Sequence, residues 1–260
     1  MTRQLGFIVC LVSALMMLSS AAYFYYSYSK DARLLKTLAA QLTDRTSGAD
    51  DKVRLLNSFV YANQGFAKNR GSYLLKSLGA TPVQVLAKGG DCTDKSRLLA
   101  AMLEQIGIKA SLAMLYPCQG CVPVHTVVLA GTESGTVVAD PLYDLMFPRE
   151  AGGYYDVREM IGDPEIQTNR LRVLRSVRGP EDKINFYEES AYHYDFVTTV
   201  NWSKYRWLAE LSNVLEKLGL EPRLIRRPAL LENPKLLFVS LTGASAALFA
   251  ILAIVSRRSG

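Results

Sequence analysis

Two uncharged stretches near the ends of this chain limit its architecture before anything else is read. Leu5 to Ala22 and Leu236 to Val255 contain no Asp, Glu, Lys or Arg. A bilayer core is crossed by roughly 20 apolar residues, so each run is long enough to span it. The first is followed by Tyr23, Tyr25, Tyr26 and Tyr28, which resemble an interfacial aromatic belt. The second ends at Arg257 and Arg258, a stop-transfer flank. For the first run the alternative is a cleaved signal peptide, with its cleavage region at Ser19, Ser20, Ala21 and Ala22. We read it as an uncleaved anchor. For the second the alternative is a buried hairpin helix, and its length and apolarity argue against that.

The basic residues do not settle orientation. Lys30, Arg33, Lys36 and Arg45 follow the first run, and Arg223, Arg226, Arg227 and Lys235 precede the second. They suit anionic head groups. Counted near the spans, they would place the central segment in the cytoplasm. Arg3 before the first run, and Arg257 and Arg258 after the second, argue the reverse. We take the second reading, with the central domain outside. The net charge of +6 is modest for 260 residues. No basic cluster interleaved with aromatics argues for nucleic acid. Four cysteines in this length are no disulfide scaffold. Cys10, inside the first run, reads as packing.

Between the spans the pattern is helical, then strand-like. Leu34, Leu35, Leu38 and Leu42 predict one amphipathic helix; Val53, Leu55, Leu56, Phe59 and Val60 predict another. Thr81-Pro82 opens a short helix with Pro at a favoured first position. Strands follow at Ile108–Tyr116, Val122–Ala130 and Thr136–Asp140, the last two joined by the GTESG turn at 131–135. Helix followed by antiparallel meander is an α+β pattern. Residues 144–180 are rich in Gly, Asp and Arg, with a further strand expected at Leu171–Val177. Residues 185–207 hold Phe186, Tyr187, Tyr192, Tyr194, Phe196, Trp202, Tyr205 and Trp207. Such a stretch is more often core than ligand cage, and near a span it also suits the bilayer interface. Leu208, Leu211, Leu215 and Leu218 mark an amphipathic helix after it.

The stretch GGDCTDKSRLLAAMLEQIGI, residues 89–108, carries the chemistry. Leu98, Leu99, Met102, Leu103 and Ile106 form the apolar face of a helix that Gly107 stops. Asp91, Thr93 and Asp94 are capping residues, so Cys92 falls at or just before the first turn. Unpaired backbone N–H groups and the positive dipole end favour a thiolate there. Gly89 and Gly90 let a backbone pass close by. The chain has two histidines. His125 lies on the strand after Cys118-Gln-Gly-Cys121, and Asp140 ends the next strand. A register placing 125 against 140 would turn both side chains to one face, towards the start of the Cys92 helix. That is a nucleophile, a base and a carboxylate to orient the base. The backbone N–H of Cys92 would be one oxyanion donor.

Asp91 and Asp94 read as caps rather than acids, Lys95 and Arg97 as a solvated helix face, and His193 in AYHYD as structural or interfacial. The sharpest rival is a tetrahedral zinc site using Cys118, Cys121 and His125, with Cys92 or Asp140 as fourth ligand. One CxxC is a weak signal, and the triad is the preferred reading. A disulfide between Cys118 and Cys121, or a pair of free thiols, is the plain alternative for that CxxC, and an extracytoplasmic domain would favour the disulfide.

The order Cys, His, Asp, with the cysteine in a G-D-C helix start and the others on a hairpin, resembles the transglutaminase-like superfamily. TPVQVLAKGGDCTDKSRLLAAMLEQIGIKASLAML is similar to that family's core helix and following strand. VPVHTVVLA is similar to its histidine strand, and VVADPLYDL to its aspartate strand. GDC-x-DKS is similar to many bacterial members. The resemblance covers residues 50–147. It implies an α+β papain-like fold, with Cys92 as nucleophile, His125 as base and Asp140 as orienting acid. Calcium belongs to animal relatives and no acidic calcium loop is evident here, so no cofactor is expected.

The chain is therefore expected to hold a transmembrane anchor at 1–30 and a transglutaminase-like catalytic domain at 31–180. An aromatic-rich extension with an amphipathic helix would occupy 181–233, and a transmembrane helix with a basic tail 234–260. The expected protein is a bacterial inner-membrane cysteine enzyme with its domain outside the cytoplasm. It would act on a peptide or amide through a Cys92 thioester, more by hydrolysis than by cross-linking, beside an envelope or membrane partner. The alternative from another class is a membrane-held module that binds a peptide without turning it over; the filled Cys, His and Asp positions speak against it.

Overall fold

The computed structural model describes residues 2–66, 72–75 and 78–258. Met1 and residues 259–260, which belong to the two expected terminal segments, lie outside the described residues, as do the side chains of Arg3 and Arg258 that enter the charge count. The order is α1 (Thr2–Leu42), α2 (Ala49–Ala62), α3 (Pro82–Lys88), α4 (Cys92–Gln105), β1 (Ala110–Tyr116), β2 (His125–Thr132), β3 (Gly135–Asp140), β4 (Leu145–Met146), α5 (Val157–Gly162), α6 (Glu165–Arg178), β5 (His193–Thr198), α7 (Arg206–Lys217), α8 (Ala229–Glu232) and α9 (Pro234–Arg258). The chain forms two compact units, Leu35–Arg227 and Met1–Leu34 with Pro228–Gly260.

In the larger unit the fold is α+β: helices pack on an antiparallel sheet of order β4-β3-β2-β1-β5. Strand alternation divides its apolar residues between two clusters. Leu112, Val128, Ala130, Val137 and Ala139 meet Leu56, Val60, Leu99, Met102 and Leu103 from α2 and α4. Leu115, Val127, Leu129 and Val138 meet Met160, Leu171, Ile184, Tyr187 and Tyr192 on the other face. Helix α3 starts with a capping box: Thr81 Oγ1 accepts from Gln84 N–H and the Gln84 side chain accepts from Thr81 N–H. Helix α4 ends in a Schellman motif at Gly107 (φ +84°), where Ile108 N–H donates to the Leu103 carbonyl and Gly107 N–H to that of Glu104.

Three expectations are corrected here. Leu171–Val177 is part of helix α6, not a strand. Gln167, Leu171 and Leu174 are buried at helical spacing, and the alternate valines of the strand pattern, Val173 and Val177, face out. The stretch 181–233, which the sequence sets apart as an extension, supplies β5 to the same sheet, because the free edge of β1 pairs with it. Lys95 is not on a solvated face. It is 1% exposed, and its Nζ donates to the carbonyls of Val60, Tyr61, Asn63 and Gln64 at 2.7–3.2 Å, at the C-terminal end of α2. Carbonyls left over at a helix end are good partners for a buried ammonium.

Two helices, Gln4–Leu42 and Pro234–Arg257, are long and apolar enough to cross a membrane, and the smaller unit takes the first as far as Leu34. Their apolar windows are 11% buried, where a core helix would be mostly covered. Phe24 stacks on Phe238 at 4.9 Å. Lys235 Nζ donates to Asp31 Oδ2 at 2.6 Å, so the charge in the first turn of α9 is met within the unit.

Candidate active site

Cys92 is the first residue of α4. Asp91 caps the helix, its Oδ1 accepting from Asp94 N–H at 3.1 Å. Asp94 in turn pairs with Arg97 at 3.2 Å, so both acids serve the helix start, as expected, and Arg97 also donates to the Ala80 carbonyl. Burial, then the Asp91 charge, raise the Asp94 carboxyl above its usual range. Gly89 has φ +75°, and a Cβ there would lie 2.4 Å from the Gly65 carbonyl oxygen. The close backbone passage expected of the two glycines is thus present, and Phe66 bridges Gly90 beside it.

The hairpin brings His125 and Asp140 together by a different register from the one expected. Val128 pairs with Ala139, so one step further sets Asp140 opposite Val127, two residues beyond His125. A slip of two keeps both side chains on one face, where a slip of one would have parted them. Diagonal neighbours are within reach of a ring, and His125 Nε2 lies 2.6 Å from Asp140 Oδ2. The other oxygen, Asp140 Oδ1, accepts from Leu142 N–H at 3.0 Å, which fixes the carboxylate.

That shared face is the one away from the body of α4. His125 pairs with Leu115 and alternates with Val127 and Leu129, all on the side of the tyrosines. Cys92 nevertheless packs against this side. The reason is position: His125 is the first residue of β2 and Cys92 the first of α4, so the helix start meets the strand at its end. Thr93 and Thr126 hydroxyls bond at 3.0 Å, and Ser96 Oγ donates to the Thr126 carbonyl at 2.9 Å. Those two bonds hold the first turn of α4 against the residue after His125.

His125 is 2% exposed and Asp140 fully buried. Burial by itself draws the imidazolium pKa down; the Asp140 charge and hydrogen bond, then the Cys92 hydrogen bond and charge, outweigh it and raise it to about 10. Nε2 is committed to Asp140, so Nδ1 is the ring nitrogen left for the sulfur.

Sequence reasoning missed the shell around the imidazole. Tyr192 stacks on His125 at 4.4 Å and 17°, Tyr143 tilts against it at 5.6 Å and Tyr187 meets it edge-on at 6.3 Å. Gln167 Nε2 holds the Tyr192 carbonyl at 2.9 Å. Burial foremost raises the tyrosine pKa values, so the phenols stay neutral. The aromatic composition of 185–207 was the available signal, but nothing in its spacing points at His125. His193, by contrast, bonds the Ser190 carbonyl at the start of β5.

The zinc alternative is corrected. Cys118 and Cys121 are joined to each other, so their sulfurs are not thiolate ligands. His125 Nε2 is spent on Asp140, and no group of three ligand-type side chains is placed to hold a metal among the described residues. Cys92 is a free, half-buried thiol.

A cavity of about 200 Å³ opens beside Cys92 and His125. Leu112, Met114, Pro123 and Val124 give it an apolar wall, Thr93 and Thr126 hydroxyls, and Arg227 a cation. A second cavity of about 350 Å³ includes Arg54, Arg178 and Asp144 in its lining. Arg54 pairs with Asp51, and Arg178 with Asp144 and Asp182, so those charges are met inside the fold.

No family model and no curated protein matches the chain. Among solved structures it is similar to a candidate cysteine protease from Cytophaga hutchinsonii, at 18% identity over 43% of this chain and 37% of that one, with a TM-score of 0.36. It is also similar to a candidate protease from Parabacteroides distasonis (17% identity, 52% of this chain, 26% of that one, TM-score 0.34) and to Legionella pneumophila LapG (18% identity, 49% and 75%, TM-score 0.31). The chain thus spans well under half the length of the first two. In this fold Cys92 stands at a helix start, and His125 and Asp140 pair across adjacent antiparallel strands.

Proposed function

We propose that this protein is a membrane-anchored cysteine enzyme that cleaves an amide or peptide through a thioester on Cys92. The observation that carries the reading is the buried 2.6 Å His125–Asp140 bond, with Cys92 close enough to the same imidazole to help raise its pKa. The Cys92 sulfur attacks the carbonyl carbon, and the carbonyl electrons move to oxygen. The backbone N–H of Cys92, at the α4 N-terminus, faces the developing oxyanion. As the tetrahedral species collapses, the C–N bond breaks and the His125 imidazolium gives the departing amine its proton. The neutral imidazole then takes a proton from water, whose oxygen attacks the thioester; an acid leaves and the sulfur is restored. Asp140 keeps one tautomer and orientation throughout. The tyrosine shell shields the pair from bulk water, which strengthens it.

Residues 1–30 and 234–260 serve as spans in this reading. The Cys118–Cys121 disulfide supports a domain on the oxidising, extracytoplasmic side of a bacterial inner membrane. Hydrolysis suits a cavity of this modest size better than cross-linking two proteins.

The test is the pH dependence of Cys92 alkylation by iodoacetamide in wild type and His125→Ala, with peptide mapping to separate the other cysteines. Fast labelling well below the ordinary thiol range of about 8.5, lost without His125, is expected of a working pair. Slow labelling with ordinary thiol behaviour in both proteins overturns the reading and leaves a binding module.

A further inference from the structure

The site accounts for Tyr187 and Tyr192 but not for the end of the aromatic stretch or the helix after it. The expected apolar face of α7 is Leu208, Leu211, Leu215 and Leu218. The structure divides it. Leu208 and Leu215 turn inward with Ser212, which is buried. Trp207, Leu211, Val214 and Leu218 point out, with exposures of 62%, 42%, 51% and 70%. At 100° per residue these four fall within about 60° of arc. They make an apolar stripe along the whole outer side of the helix. Tyr205 stacks on Trp207 and is itself half exposed, which extends the stripe beyond the first turn.

We infer that the outer face of α7 lies in the bilayer interface, with Trp207, Leu211, Val214 and Leu218 below the head groups. The occupant follows from two observations. First, exposed lysines stand at both ends of the stripe, Lys204, whose ammonium lies over the Tyr205 ring, and Lys217, while Arg206 on its edge is ion-paired with Glu210. Aromatic and aliphatic residues flanked by Lys and Arg match an anionic lipid surface better than a polar protein surface. Second, α9, long and apolar enough to span, starts at Pro234, soon after α7 ends at Lys217. One continuous segment of chain, residues 218–233, joins the stripe to that helix. The inference rests on the membrane anchoring proposed above. It adds that the catalytic unit itself touches lipid, which would hold the Cys92 cavity at a set distance from the surface and favour substrates presented there.

The chain has two tryptophans, and Trp202 is held by its indole N–H to the Pro222 carbonyl. The Trp202→Phe full chain, reconstituted in vesicles of phosphatidylcholine and phosphatidylglycerol, therefore reports Trp207 alone. Flotation first shows whether the chain is anchored. Quenching by lipids brominated near the head group or near the chain end then gives the depth of Trp207. The expected result is blue-shifted emission, quenched several-fold more by the shallow quencher. Leu211→Glu with Val214→Glu should abolish both while flotation persists. A floating chain whose Trp207 emits like indole in water and ignores every lipid quencher overturns the inference and spares the anchoring. A blue shift that grows with protein density and ignores lipid quenchers overturns it in favour of a second copy of the chain. A chain that does not float overturns the anchoring and the inference together.

Discussion

Asp140→Asn probes the buried pair through its protons. His125 is held well above its ordinary pKa: burial pulls it down, but Asp140 and then Cys92 push it to about 10. A histidine raised in the fold binds more protons folded than unfolded between its unfolded value of about 6.5 and its folded one. Its stabilisation is therefore complete below the unfolded value and drains away as pH climbs towards the folded value. Asn keeps the shape of the carboxylate and removes its charge, leaving burial to draw the imidazolium down. The comparison is best made in a Cys92→Ala background, which removes the neighbouring sulfur from both proteins. One proton is worth about 1.4 kcal/mol per pH unit. The stability gap between Cys92→Ala and Cys92→Ala/Asp140→Asn should start at about 3–5 kcal/mol near pH 6.5, the cost of breaking a buried pair. It should narrow by up to about 3 kcal/mol by about pH 8.5, a change of roughly 5–10 °C in the difference of midpoints. Lys95 titrates in this range too, but it is common to both proteins and cancels. Thermal unfolding of the full chain in detergent, followed by the near-ultraviolet circular dichroism of the tyrosines around His125, reads the gap. A gap that stays constant, or widens with pH, refutes the reasoning.

Gly89→Ala should cost about 2 kcal/mol or more, from a left-handed backbone and a Cβ pressed onto the Gly65 carbonyl, and slow Cys92 alkylation by shifting the α4 start; unfolding midpoints and labelling rates measure both. Lys95→Met strips four carbonyls of their donor and should cost about 3 kcal/mol at neutral pH. Burial, then Lys183, lower the Lys95 pKa to about 8 from 10.5, so the unfolded chain holds more protons between those values and stability due to this group rises with pH there. A pH series should show the midpoint gap between wild type and Lys95→Met widening over that range, since the fall due to His125 is common to both. Tyr192→Ala removes the ring stacked on His125 and should cost about 3–5 kcal/mol, while Tyr192→Phe keeps the stack and should leave both the midpoint and Cys92 labelling close to wild type.

Residues close in sequence announced themselves because local physics placed them. Helix α4 and its cap follow from Asp91, Cys92 and Gly107, whose roles need only the neighbouring turn. The capping box at Thr81 and the hairpin turn at 131–135 are equally local. The two apolar runs are legible for the same reason, since length and composition alone make a helix long and apolar enough to cross a membrane.

What the chain alone left open needed distant partners. Lys95 looks solvated on a helical wheel, and only the end of α2 folded over it supplies four carbonyls. Leu171–Val177 alternates like a strand, yet the partners that bury Leu171 and Leu174 select the helix. Type and order of Cys92, His125 and Asp140 were fixed by the sequence, but not their register or the face they share. A slip of two residues preserves strand alternation, so no sequence pattern distinguishes it. The tyrosines over His125 come from Tyr143 and from Tyr187 and Tyr192, far from it along the chain. The outward stripe of α7 is likewise set by which side of the helix the core claims. Local propensity and capping determined the pieces; burial against partners remote in sequence decided which side of each piece faces the imidazole, the core or the solvent.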